Sequence, residues 1–202
     1  MTRGLPESRI RPPSAAGGLD LTYWHSCSEH DTEEEVSLMI GGLVTGLAPD
    51  TVVELGAYHG QTSQAICYAL AAARHGYLWS LELDPACCEI ASRRVPVAWG
   101  SVLQVDARTW IPPAPVDCLY IDHGDPATRF EVLDHYLPHL SPRAVVVWHD
   151  TGPQFELRSQ LLMHWVMELE WQIVLLPTSR GVGLMHRPSS DYTAVEPPSL
   201  IV

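Results

Sequence analysis

Apolar and polar positions change period several times along this chain. Val36, Leu38, Met39, Ile40, Leu43 and Val44 follow Thr32-Glu33-Glu34-Glu35 at helical spacing. Asp31 or Thr32 is the expected cap, and the glutamates suit the positive end of the helix dipole. Pro49 ends that helix. Thr51–Leu55 then reads as a short β-branched strand. The alternation continues with a helix over 61–74, a strand over 77–83 and a helix from Pro85 to about Arg94. Strands follow at 102–105 and 116–121, then a helix over 128–140. A fully apolar strand, 144–148, has the character of a buried central strand. A helix over 154–169 and two strands, 171–176 and 182–186, complete the pattern. The short loop between the last two predicts an antiparallel hairpin.

Alternating strands and helices predict an α/β fold with a doubly wound, Rossmann-like sheet. Seven strands are expected, mostly parallel, with a C-terminal antiparallel hairpin. That topology is common to class I methyltransferases. Residues 1–30 carry prolines, glycines and few apolar positions, and read as a flexible N-terminal arm or a lid. Residues 31–190 form the expected domain, and 191–202 a tail.

Composition narrows the options. At 202 residues the chain suits one domain. Its formal net charge of -12 argues against a nucleic-acid partner. No apolar run is long enough for a membrane span, and no signal sequence is visible. All 12 basic residues are arginine, so no lysine serves as a general base. The five cysteines show neither a C-x-x-C pair nor a zinc spacing. They read as reduced thiols of a cytoplasmic protein.

The chemistry gathers where strands end. The first strand leads into Glu54-Leu55-Gly56-Ala57-Tyr58-His59-Gly60, an E-x-G-x-x-x-G loop before a helix. Gly56 permits a sharp turn, and Gly60 permits close approach of a ligand. The loop has neither the dinucleotide G-x-G-x-x-G spacing nor that of a phosphate loop. Glu82, at the end of the second strand, is placed to accept from both hydroxyls of a ribose, as either NAD or S-adenosylmethionine requires. Asp84 reads as a cap for the helix begun by Pro85. Asp106 ends the third strand. It either accepts from an adenine amino group, beside small Ala107, or caps the next turn.

Val53 to Gly60, Ser80-Leu81-Glu82 and Tyr120-Ile121-Asp122-His123 together closely resemble the catechol O-methyltransferase type of metal-dependent methyltransferase. Asp122 to Asp150-Thr151, with Arg180-Gly181-Val182-Gly183-Leu184, also resembles small bacterial methyltransferases that modify sugars and secondary metabolites. The resemblance spans roughly residues 35–187. It implies S-adenosylmethionine as cofactor, with Glu54 and Gly56 against the methionine part, Glu82 on the ribose and Asp106 at the adenine. The expected cofactor contacts are Glu54, Gly56, Ala57, Tyr58, His59, Gly60, Ser63, Glu82, Leu83, Asp106, Ala107 and Asp122.

The same resemblance implies Mg²⁺ or another divalent cation. Asp122 and Asp150 match the first two ligands, and Thr151 stands where the family has Asn or Asp. His149 is the alternative ligand. Two carboxylates at adjacent strand tips make a hard oxygen site. The family's lysine base corresponds to Asp125 here, leaving Asp122, His123 and Asp125 as the catalytic candidates. His123 or Asp125 would accept the proton, or else serve as a loop hydrogen bond and a helix cap. Trp24, Trp165 and Trp171 are core or substrate wall, and His135 and His139 are packed or solvated.

The expected activity is O-methylation of a small-molecule hydroxyl on a sugar, phenolic or secondary metabolite, with a magnesium ion assisting. Two alternatives stay open: metal-independent N- or C-methylation or another use of the sulfonium, and a non-catalytic methyltransferase-like binding protein. A small-molecule acceptor is the expected partner, with a homodimer an open option.

Overall fold

A computed structural model describes residues 24–26, 30–123, 126–152, 160 and 162–187, with only the backbone at 126, 127, 129 and 130. Most of the expected arm, the expected tail, Asp125 and the start of the helix expected over 154–169 lie outside the described residues.

The elements are α1 (Glu34–Leu47), β1 (Thr51–Leu55), α2 (Gln61–Ala73), β2 (Tyr77–Glu82), α3 (Pro85–Ser92), β3 (Gly100–Gln104), β4 (Val116–Ile121), α4 (Pro126–Tyr136), β5 (Leu140–His149), β6 (Gln172–Leu176) and β7 (Val182–His186). They build one seven-stranded sheet in the order β3-β2-β1-β4-β5-β7-β6. The pairs from β3 to β5 are parallel, and β7 runs antiparallel to both β5 and β6. The doubly wound, mostly parallel sheet with its antiparallel C-terminal hairpin is the expected architecture.

Side chains alternate across the central strands, and both faces are buried. Val52, Cys118, Tyr120 and Val147 pack under α1 and α2 with Ile40, Ile66 and Leu70. Val53, Leu119, Ile121 and Trp148 point the other way, against Val132, Leu133 and Tyr136 of α4. This two-sided burial explains why β4 and β5 read as nearly continuous apolar runs. Asp117, a polar residue inside β4, accepts from Ser141 Oγ at 2.7 Å and from the backbone N–H of Asp50 at 2.9 Å.

Several local expectations change. Glu33, not Asp31 or Thr32, is the residue before α1, and no side chain caps that end. All three side chains are instead buried, and those of Thr32 and Glu33 make tertiary hydrogen bonds. β5 starts at Leu140, four residues before the expected strand, because Val116 pairs with Leu140 across an irregular register. The helix before it ends in a 3₁₀ turn, Leu137–His139, where Pro138 supplies no N–H. The described part of the last helix, Leu162–Glu168, is π-helical. Trp165 and Trp171 belong to the core with their rings edge to face, and Trp24 packs on the α1 side. His135 bonds the Trp110 carbonyl and packs near His139. Asp84 caps α3 as expected, accepting from the N–H groups of Ala86 and Cys87. Burial pushes the Cys67 and Cys118 thiols up to about 12, so neither is a nucleophile. Among the described residues no helix is long and apolar enough to cross a membrane.

Candidate active site

The carboxyl ends of β1 to β5 open onto a cavity of about 570 Å³, within the usual size of small-ligand pockets. Gly56, Tyr58, Glu82, Asp106, Asp122 and Arg180 are among its lining residues. The first four come from the tips of three successive strands, the others from the opposite wall.

The first wall is made by local chain. Gly56 turns at φ +93°, and its N–H donates to the Leu81 carbonyl at 2.9 Å. A Cβ there would lie 2.8 Å from the Asp122 carbonyl oxygen and His123 Cα. The glycine thus lets the β1 and β4 ends approach each other. Gly60, at φ +77°, answers to packing as well: a Cβ would lie 2.8 Å from Ala91 Cα in α3. It stands outside the cavity lining, where α3 packs against it.

Tyr58 sits in the left-handed region at φ +46°, and its N–H donates to Glu82 Oε2 at 2.7 Å. Asp84 N–H donates to Glu82 Oε1 at 2.9 Å. Glu82 is therefore aimed by two backbone groups, and each carboxylate oxygen retains acceptor capacity. Leu83 and Ala107 also line the cavity. Asp106 lines it while paired with Arg108, Nη2 to Oδ2 at 2.6 Å, and the guanidinium's hydrogen bond holds its carboxyl down at about 2. The carboxylate also accepts from the Arg108 N–H at 2.9 Å, so the turn-capping role is present too.

Glu54 and Ser63 lie behind this wall. Glu54 is buried beneath the loop and accepts hydrogen bonds from Ser63 and Ser80. Burial raises its carboxyl to about 7 despite those two hydroxyls. A narrow recess that also borders Ala57 and Gln61 reaches it. Ser63 is fully buried and turned to Glu54, behind the cavity lining. His59 stacks on Tyr58 with ring centroids 3.8 Å apart and also lies outside the lining.

The opposite wall is assembled from distant segments. Asp122 Oδ2 accepts from Thr32 Oγ1 at 2.6 Å and Tyr120 Oη at 3.1 Å. His149, fully buried, places Nδ1 2.9 Å from Asp122 Oδ1 and Nε2 2.8 Å from Glu33 Oε2. Burial opposes its charge, but the charge and hydrogen bond of Asp122, then Glu33 and Asp150, overcome this and push the imidazole up to about 10. Glu33 is likewise opposed by burial, yet His149 and the Ser179 hydroxyl hold its carboxyl below the usual range. Asp150 takes Arg180 in a two-pronged pair, Nε to Oδ1 at 2.7 Å and Nη2 to Oδ2 at 2.9 Å. It does so from a left-handed backbone, φ +62°, a strained conformation of the kind that gathers at functional sites.

Asp122, His149 and Asp150 each place a ligand-type atom within 4.8 Å of one another. As they stand they do not fit a divalent ion. Both His149 nitrogens face carboxylates and act as donors, whereas a metal ligand needs a bare nitrogen. Both Asp150 oxygens serve Arg180. Thr151, expected as third ligand, is buried outside the cavity lining, and its hydroxyl has no hydrogen-bond partner among the described residues.

Glu33 and Arg180 were not among the expected site residues. Glu33 hides within three consecutive glutamates, of which only it is buried. Arg180 had one usable signal, the glycine after it. Gly181 runs at φ +83°, and a Cβ there would lie 2.2 Å from Gly152 N, so the loop carrying Arg180 is pressed onto the β5 end.

Residues 53–151 match the family model described as a methyltransferase domain. No curated protein matches the sequence. Among solved structures, the chain is similar to the SAH-bound methyltransferase PaMTH1 of Podospora anserina, with TM-score 0.65 and 11% identity, covering 77% of this chain and 78% of that one. A putative caffeoyl-CoA O-methyltransferase from Staphylococcus aureus gives TM-score 0.65 and 12% identity over 78% and 85% of the two chains. The O-methyltransferase TomG from Streptomyces achromogenes, involved in tomaymycin synthesis and solved with SAM, gives 0.61 and 17% over 80% and 83%. At these identities the likeness is one of fold.

Proposed function

Starting from a chain that carries a methyltransferase domain in the class I, S-adenosylmethionine-dependent fold, we propose that it methylates a hydroxyl of a small-molecule acceptor, such as a sugar, a phenol or another secondary metabolite. The observation that carries the reading is the shared cavity: Glu82 and Asp106 on one wall, Asp122 and His123 on the other. Two similar folds bear O-methyltransferase names, which supports oxygen as the methyl acceptor.

When bound, S-adenosylmethionine supplies a methyl group on a positively charged sulfur, ready for an approaching lone pair. The donor set fits it: Glu82 accepts from the ribose hydroxyls, and Asp106 accepts from the adenine amino group. Asp122 is held as a carboxylate by Thr32, Tyr120 and His149. Three donors make it an anchor for cofactor and acceptor, and a poor base. His123 takes the hydroxyl proton on its imidazole, a group that exchanges protons near neutral pH. The side chains thus orient the acceptor oxygen and remove its proton, and positioning supplies much of the rate.

Calorimetry with S-adenosylmethionine and SAH tests the cofactor, and transfer of a tritiated methyl group to candidate phenols and sugars tests the reaction. Glu82→Gln is expected to weaken SAH binding by roughly 10- to 100-fold, the worth of a hydrogen bond to a charged group. A folded wild-type chain that binds neither compound would rule the reading out.

A further inference from the structure

We infer that Arg180 is the resident cation of the acceptor wall, standing where a divalent ion would otherwise neutralise Asp150, so that methyl transfer here proceeds without a metal. The inference deepens the methyl-transfer reading and rests on it for what the site does. The charge arrangement stands on geometry alone.

Three carboxylates, Glu33, Asp122 and Asp150, meet the imidazole of His149 and the guanidinium of Arg180 in this cluster. Each is directly engaged: Glu33 and Asp122 by the two nitrogens of His149, and Asp150 by both arms of the Arg180 fork. A divalent ion entering here would face the Arg180 guanidinium and would have to displace it from Asp150. His149 is fully buried between its carboxylate partners.

Arg180 is fixed from behind as well. Gly152 N–H donates to the Arg180 carbonyl at 2.7 Å, Thr151 N–H donates to the Gly181 carbonyl at 3.2 Å, and Gly181 N–H donates to Thr178 Oγ1 at 2.9 Å. These bonds clamp the β6–β7 loop onto the end of β5. The same clamp holds Asp150 in its left-handed conformation, so acid and arginine are presented to each other by the backbone. The guanidinium donates one hydrogen bond, Nη2 to Oδ2, while its Nε lies 2.7 Å from Oδ1 in an ion pair.

Two consequences follow for the acceptor. A metal selects acceptors with two adjacent oxygens, since it grips both; without one, a single hydroxyl is sufficient. A metal also makes a bound hydroxyl more acidic; without one, removal of the proton falls to a side chain, His123.

The test is Mn²⁺ binding to the full chain with SAH present, followed by the electron paramagnetic resonance of free Mn²⁺, with SAH binding measured separately by calorimetry. The wild type is expected to bind SAH and to take up no Mn²⁺ with a Kd below about 1 mM. Arg180→Met uncovers Asp150 and is expected to raise Mn²⁺ affinity at least about tenfold, and adding Asp150→Asn is expected to abolish the gain. Arg180→Gln replaces Arg180→Met if the latter does not fold. One Mn²⁺ per wild-type chain in the micromolar range, lost in Asp150→Asn, overturns the inference, as does a folded arginine variant with no gain. Failure of the wild type to bind SAH strikes instead at the methyl-transfer reading.

Discussion

The two walls of the cavity are built on opposite plans. The β1–β3 wall uses short stretches of chain: a loop after β1, two backbone N–H groups on Glu82, and Arg108 two residues from Asp106. The β4–β5 wall draws on residues 32–33, 120–122, 149–150 and 179–180, and it balances its charges inside the protein. The first wall presents carboxylates to a ligand. The second has largely satisfied its own before any ligand arrives. On the proposed reading, local chemistry serves recognition of the cofactor, and long-range pairing shapes the acceptor side.

Glu33→Ala probes the long-range wall and should have the largest effect on stability. It removes one partner of a buried imidazolium, for which a loss of roughly 3–5 kcal/mol is expected, or a Tm lower by about 10 °C. A thermal melt checks this, and an unchanged Tm would mean that the second wall is not locked by its own charges.

Glu54, beneath the first wall, should give a smaller effect with a distinct pH signature. Its carboxyl is raised by burial from 4.5 to about 7. The folded state therefore favours the protonated acid, and this stabilisation is complete below 4.5 and lost as pH rises through 7. Glu54→Gln imitates the protonated form at all pH values. Relative to wild type it should gain on the order of 3 kcal/mol at pH 8 and little at pH 4, as measured by urea unfolding at each pH. An equal difference at both pH values would show that folding leaves the Glu54 carboxyl unshifted.

Arg108→Ala should have the smallest effect. Its pair with Asp106 is exposed, and such pairs contribute little to folding. The Tm should not move resolvably, while the Asp106 carboxyl rises from about 2 toward its usual range, observable by carbon NMR titration. A large Tm loss would erase the contrast between a recognition wall and a structural one.

The sheet and the first wall were legible in the sequence because the information is local. A β-branched run followed by glycine, or an acid three residues before a proline-started helix, occupies one strand tip and its own loop. Glu82 could be placed from its position alone. Gly56 and Gly60 were legible as special positions, but their reasons were not: each accommodates another part of the chain, His123 in one case and Ala91 in the other. Asp122 and Asp150 were legible as facing acids at adjacent strand ends, and their neutralising partners were not.

The sequence by itself determined a doubly wound sheet, a glycine-turned loop and a row of acids at successive strand ends. Period and turn chemistry act within a few residues, and neighbouring parallel strands necessarily bring their tips together. Only the tertiary structure decided that Glu33 would reach His149 across 116 positions, and that Arg180 would close on Asp150 from the far hairpin. Charges in a low-dielectric interior must be paired wherever the fold brings them, and no local pattern records which distant residue will supply the partner.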